Sequence, residues 1–164
     1  MKVRAKAMSE NKTPIIIGSD HAAYDLKEKI KEFLVDRGID IEDAGSHSKD
    51  SVDYPDFGIK VASMVSTGKF ERGILMCGTG IGMSMVANKF PHVRAALCSD
   101  LFSAIMSRRH NNSNILVLGG RVVGDALAME MVKAWLETPF DAGRHQQRID
   151  KFDKIDATDT AESH

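Results

Sequence analysis

A chain of 164 residues, 43% hydrophobic and 27% charged, has the size and balance of one compact domain with an ordinary buried core. Its formal net charge of -1 argues against a protein built chiefly to hold nucleic acid, and no apolar run approaches the roughly 18 residues of a membrane span. Two cysteines, Cys77 and Cys98, without a C-x-x-C spacing, make neither a dithiol redox motif nor a zinc framework.

Free thiols in a small protein fit a reducing compartment, which predicts a cytoplasmic location. Residues 1–13 carry Lys2, Arg4, Lys6 and Lys12 around no apolar centre, so they read as a disordered extension rather than a secretory signal, with Met8 an alternative start. From residue 14 to 156 short apolar runs alternate with amphipathic segments in a single domain, and 157–164 form a polar tail. The predicted strands are 15–17, 39–43, 73–77, 93–97 and 115–118, four of them nearly all apolar, as parallel strands covered on both faces require. Between the first two, Leu26, Ile30, Phe33 and Leu34 share one helical face; Phe57, Val61, Met64 and Val65 do so before the third. A helix over 83–90 follows the third strand, and Leu127, Met131, Ala134 and Trp135 form the stripe of a helix after the fifth. Gly38 and Gly68 stand where C-terminal caps belong, and Pro139 follows the Trp135 helix. This alternation predicts an open parallel α/β sheet with right-handed crossovers.

Ligand sites in such sheets lie at the carboxyl ends of the strands. There the chain carries Ser19-Asp20-His21, then Cys77-Gly78-Thr79-Gly80-Ile81-Gly82, then Ser99-Asp100, then Gly119-Gly120-Arg121. Alternating glycines between a strand and a helix let backbone N–H groups converge on an anion. A dinucleotide fingerprint fails because its last glycine position is Met83, and a nucleotide P-loop fails for want of Gly-Lys-Ser/Thr. Cys77 lies directly before this cradle, where the same N–H groups favour a thiolate. The alternative for a buried cysteine is an inert apolar group, the reading adopted for Cys98. Thr79 either donates to a developing oxyanion or caps the helix, and the two are compatible.

Arg144 and Arg148, four apart, share a helix face that suits a phosphate dianion, the alternative being a solvated surface; Arg121 offers a third contact. His21 and His110 sit at loop positions suited to acid–base work, whereas His47, His92, His145 and His164 read as surface residues. Asp20 orients a ring, binds a hydroxyl or caps the next helix. No H-x-x-x-H pair supports a metal. The stripe Ile149, Phe152, Ile155 docks on this domain or on a partner subunit.

Together Ser19-Asp20-His21, Asp53-Tyr54-Pro55, Cys77-Gly78-Thr79-Gly80-Ile81-Gly82, Arg108-Arg109-His110-Asn111 and Gly143-Arg144-His145-Gln146-Gln147-Arg148 resemble type B ribose-5-phosphate isomerase, from about residue 14 to 155. The broader family includes galactose-6-phosphate and allose-6-phosphate isomerases. The resemblance implies a three-layer Rossmann-like fold on a five-stranded parallel sheet. It implies a homodimer, in some members a tetramer, whose active sites are built from two subunits. It implies an aldose–ketose isomerase without cofactor or metal. Cys77 would move a proton between C1 and C2 through a cis-enediol, and His110 would open the furanose ring with help from Asp20. The backbone of Gly78, Gly80, Ile81 and Gly82, with Thr79, would hold the enediolate. Asn111 and Tyr54 would touch sugar hydroxyls, and His21, Arg121, Arg144 and Arg148 the phosphate.

Some members of the family place a glutamate in this loop as the base. Here the loop continues Ile81-Gly82-Met83-Ser84 without a carboxylate, which leaves Cys77 as the candidate. The galactose-6-phosphate branch lacks the His-Asn and Gly-Arg-His-Gln-Gln-Arg segments; this chain has both, which favours the pentose phosphate. A six-carbon sugar phosphate, or a non-catalytic phosphosugar-binding module, are the competing expectations.

Overall fold

Alternation along a strand sends Ile15 and Ile17 to one face and Ile16 to the other, so an all-apolar strand needs cover on both sides. The computed structural model, which describes residues 13–155, provides that cover. Strands β1 (Ile15–Ser19), β2 (Ile41–Asp43), β3 (Arg72–Cys77), β4 (Ala95–Leu97) and β5 (Ile115–Gly119) form one parallel sheet in the order β2-β1-β3-β5-β4. Helices α1 (Tyr24–Val35), α2 (Tyr54–Ser66), α3 (Ile81–Ala87), α4 (Leu101–Arg109), α5 (Asp125–Glu137) and α6 (Arg144–Phe152) complete it, with a 3-10 turn at His21–Ala23. One core joins Ile15, Ile17, Ile74 and Leu116 to Leu26, Ile30, Ala104, Met131 and Trp135 of α1, α4 and α5. The other joins Ile16, Leu75, Cys77 and Val117 to Val61, Met83 and Ala87 of α2 and α3. The expected three-layer α/β architecture is the one observed. The expected extension over residues 1–13 and tail over 157–164 lie, but for Thr13, outside the described residues.

Several boundaries differ from the sequence expectation, each for a local reason. β2 and β4 begin two residues late because Ile39 and Val93 spend their N–H groups on the turns before them, donating to Leu34 and Phe90 carbonyls. α3 begins at Ile81 because left-handed Gly80 turns the chain there, and it ends at Ala87, where Asn88 Nδ2 caps the Ser84 carbonyl. In α5 the buried stripe runs through Ala128, Met131, Val132 and Trp135, while Leu127 is exposed. β4 is an edge strand and is only partly covered. Gly38 and Gly68 do hold left-handed backbone after α1 and α2.

Two topological facts position the site. β1 pairs with β2 on one side and β3 on the other, so the chain changes direction between β1 and β3 and opens a crevice at their carboxyl ends. Asp100 caps α4 past the carboxyl end of β4, and the helix runs back against the strands for nine residues, about 13 Å. His110 and Asn111 therefore lie toward the amino end of the sheet, just before β5 begins.

Candidate active site

Main-chain hydrogen bonds lace the loops at the carboxyl end into one surface. Asp20 N–H donates to Met76 O (3.2 Å), Gly120 N–H to Cys77 O (2.8 Å) and Arg121 N–H to Gly78 O (2.9 Å). The loops are in close contact: a Cβ on Gly119 would stand 2.6 Å from the Thr79 carbonyl oxygen. Gly80 has φ 80° and a Cβ there would stand 3.1 Å from Leu118 O, so only glycine serves.

Cys77 ends β3 with 5% of its surface exposed, and its Sγ accepts a hydrogen bond from Gly80 N–H at 3.1 Å. An N–H aimed at sulfur is the kind of donor that a thiolate needs to offset its loss of water. Burial pushes the Cys98 thiol up to about 11, so it stays protonated and packs as an apolar group. Thr79 Oγ1 accepts from Ile81 N–H at 3.3 Å, and its own hydroxyl hydrogen remains available to a ligand oxygen. Tyr54, first residue of α2, lies against the same loop, its ring and hydroxyl within 2.7 Å of where a Gly82 Cβ would stand.

Asp20 is buried and caps the 3-10 turn, its Oδ1 accepting from Ala22 and Ala23 N–H at 3.0 and 3.2 Å. His21 Nδ1 accepts from Val52 N–H at 3.2 Å, which assigns the hydrogen of a neutral ring to Nε2. Arg121 extends over the cradle, its Nη1 3.6 Å from the Cβ position of Gly78. Behind β1 an ion network braces this end. Lys27, with its side chain fully buried, donates to both Asp43 oxygens at 2.8 and 2.7 Å, and Lys31 reaches Asp43 at 2.6 Å. Burial pushes the Asp43 carboxyl up, but the two ammonium groups and Gly45 N–H outweigh that and hold it down at about 2. Gly45 O in turn accepts from Ser19 N–H at 2.7 Å, tying the network to the Asp20 loop.

His110, Asn111, Arg144 and Arg148 do not join this group within one copy of the chain. They form a second cluster toward the amino end of the sheet, where α4 ends and α6 begins. Its loop is firmly held: Trp135 Nε1 donates to Ser113 Oγ at 2.8 Å, Ser107 and Ser113 hydroxyls pair at 2.9 Å, and Ser113 N–H donates to Ser107 O at 2.9 Å. Arg108, which the sequence offered only within the Arg108-Arg109-His110-Asn111 segment, is buried there; burial first, then Arg72 and Arg94, lowers its pKa to about 10. Arg121, Arg144 and Arg148 have no carboxylate partner among the described residues, which leaves three guanidinium groups for an anion.

His145 corrects the surface reading. It is buried, and its ring stacks on that of His110 with centroids 4.2 Å apart and planes 8° apart. A signal was available, since His145 and Ile149 are four apart and Ile149 is the apolar anchor of α6. His110, His145 and Asp141 bring one ligand atom each within 4.8 Å, a grouping that spacing along the chain did not suggest. Parallel rings aim their in-plane lone pairs along parallel planes, and Asp141 is already paired with Arg109 at 3.0 Å, so the three do not converge on an ion. Of the stripe Ile149, Phe152, Ile155, only Ile149 is buried in the chain's own core. Phe152 and Ile155 instead line an open cavity of about 560 Å³ with Arg94, His92 and Asn111.

No helix among the described residues is long and apolar enough to cross a membrane. The family described as Ribose/Galactose Isomerase matches residues 15–152. Ribose-5-phosphate isomerase B of Escherichia coli K12 is 45% identical over 142 residues, covering 87% of this chain and 95% of that protein. D-erythrulose-4-phosphate isomerase of Pectobacterium atrosepticum is 42% identical over 139 residues, covering 84% of this chain and 91% of that one. The solved structure of Clostridium thermocellum ribose-5-phosphate isomerase B superposes with a TM-score of 0.85 at 52% identity, covering 87% of this chain and 96% of that one.

Proposed function

The chain belongs to the ribose/galactose isomerase family, and from that premise we propose that it interconverts ribose 5-phosphate and ribulose 5-phosphate with Cys77 as the base. The observation that carries the chemistry is the Gly80 N–H directed at Cys77 Sγ, at the head of a glycine loop without a carboxylate. The thiolate takes the proton from C2 of the open-chain aldose and returns it to C1, so one residue serves both half-reactions. Loop N–H groups and the Thr79 hydroxyl hold the enediolate oxygens, at roughly 3 kcal/mol for a well-aimed donor. His21 Nε2–H and Arg121 take part of the sugar phosphate at the cradle.

His110 opens the furanose ring, and Arg144 and Arg148 grip the phosphate. These residues are separated from Cys77 by the length of α4, so they come from a second copy of the chain. A symmetric pair then builds two composite sites, and the partly covered edge of β4, with Leu97, Leu101 and Phe102 exposed beside Ile81 and Met85, supplies the apolar contact surface. Two buried free thiols suit the reducing cytoplasm.

The test is substrate profiling of wild type and Cys77→Ala on four-, five- and six-carbon sugar phosphates. Ribose 5-phosphate is expected to give the highest kcat/KM, and the substitution to remove about 100-fold or more of turnover while phosphate binding persists. Near-normal turnover in the variant would sink the thiol base. A higher kcat/KM on erythrulose 4-phosphate would move the substrate to that of the Pectobacterium relative. Ligand binding without solvent-deuterium exchange at C1 or C2 would leave only a phosphosugar-binding module.

A further inference from the structure

His145 is buried, flat against His110, and has no part in the proton path set out above. We propose that His145 is a positioning residue, whose ring is the platform that fixes the plane of the His110 imidazole for proton transfer to and from the sugar ring. The inference rests on the assignment of His110 as the ring-opening residue.

Three observations carry it. The ring centroids are 4.2 Å apart with an interplanar angle of 8°, a stack that leaves the His110 ring edge, where both nitrogens lie, as its only reactive part. The two rings come from different elements, His110 capping α4 and His145 in the first turn of α6, and those elements are bound to each other beside the stack. Asp141 N–H donates to Arg109 O at 3.0 Å, and the Asp141 carboxylate accepts from Arg109 Nε and Nη2, both at 3.0 Å. The chain then makes a tight reversal through Ala142 (φ 53°) and Gly143 (φ 55°) into α6. A left-handed alanine is an uncommon conformation, held only where the surroundings dictate it. Here the reversal delivers His145 under His110 while Arg144 and Arg148 stay exposed on the other face of α6.

The charge pattern agrees with a passive platform. Burial lowers the pKa of His145, and His110, Arg144 and Arg148 lower it further against the opposing pull of Asp141. A lowered pKa favours the neutral ring, as a platform that handles no proton requires. Two protonated rings face to face would repel each other.

The experiment compares wild type, His110→Ala, His145→Ala and His145→Phe in two assays. One is steady-state turnover of ribose 5-phosphate, which is mainly cyclic. The other is deuterium incorporation from solvent into ribulose 5-phosphate, which cannot close a five-membered ring because its O5 is esterified. His145→Ala is expected to lower kcat by about 10-fold or more with KM within about 3-fold, as for a misplaced catalytic group. Deuterium incorporation should stay near the wild-type rate, and His145→Phe, which restores a flat ring without a titrating nitrogen, should recover most of kcat. Equal losses in the Ala and Phe variants would overturn the proposal, because His145 would then be handling a proton itself. So would wild-type kcat in His145→Ala, or a fall in deuterium incorporation parallel to kcat, which places the effect at the Cys77 step. Wild-type turnover in His110→Ala would remove the ring-opening assignment, and the proposal with it.

Discussion

Asp43 shows how one carboxylate supports a site that it does not enter. Its charge neutralises Lys27, whose side chain has no exposure to water, and its neighbour Gly45 holds the Ser19 backbone directly before Asp20. Asp43→Asn should cost about 3 kcal/mol of stability, the low end for breaking a buried pair, since Glu28 still lies 3.0 Å from Lys27 Nζ. The pH dependence has a defined sign. A carboxyl held down at about 2 from an ordinary 3.8 contributes stability that is complete above pH 4 and is lost as the pH falls toward 2. Denaturant midpoints across that window should fall steeply for wild type and less steeply for Asp43→Asn; parallel curves would mean that Asp43 is not the titrating brace.

At the scale of elements, the loops after β3 and β5 behave as one piece because Gly119 has no side chain. Gly119→Ala forces a methyl group against the Thr79 carbonyl, which is backbone and cannot swing aside. The expected result is a loss of about 1–3 kcal/mol in a thermal or denaturant melt, as for overpacking elsewhere, together with a lower kcat because the cradle must shift. Unchanged kinetics in a destabilised protein would separate the packing of this loop from its chemistry. The strands, the glycine loop and its cysteine were legible in the chain, because apolar runs and alternating glycines are local signals. The edge position of β4 was not, since a three-residue strand reads alike at an edge and in a centre. Burial of His145 escaped a reading that weighed it apart from Ile149, its neighbour one helical turn away. The separation of His110 from Cys77 was within reach of topology alone: a helix joining two parallel strands runs back against them, so residues at its end lie at the amino end of the sheet.

At the scale of the molecule, the proposed composite site predicts that pairing is a condition of activity. Cys77→Ala and His110→Ala each disable both sites of a symmetric pair. Mixed after reversible dissociation, they form hybrid pairs in which one site collects both substitutions and the other collects none. Random reassortment makes half of the pairs hybrid, with one of two sites intact, so activity should return to about a quarter of wild type. Mixing without recovery, under conditions where subunit exchange is shown by mass spectrometry, would place the complete site within a single copy.

The same reversal of α4 has a genetic consequence. A chain carrying both substitutions at once damages the Cys77 half of one site and the His110 half of the other in any pair that it enters. Made alongside an equal amount of the normal chain, it leaves working only those pairs that exclude it, about one in four under random pairing. The doubly substituted allele would act as a dominant poison, whereas a chain unable to pair would be a silent recessive.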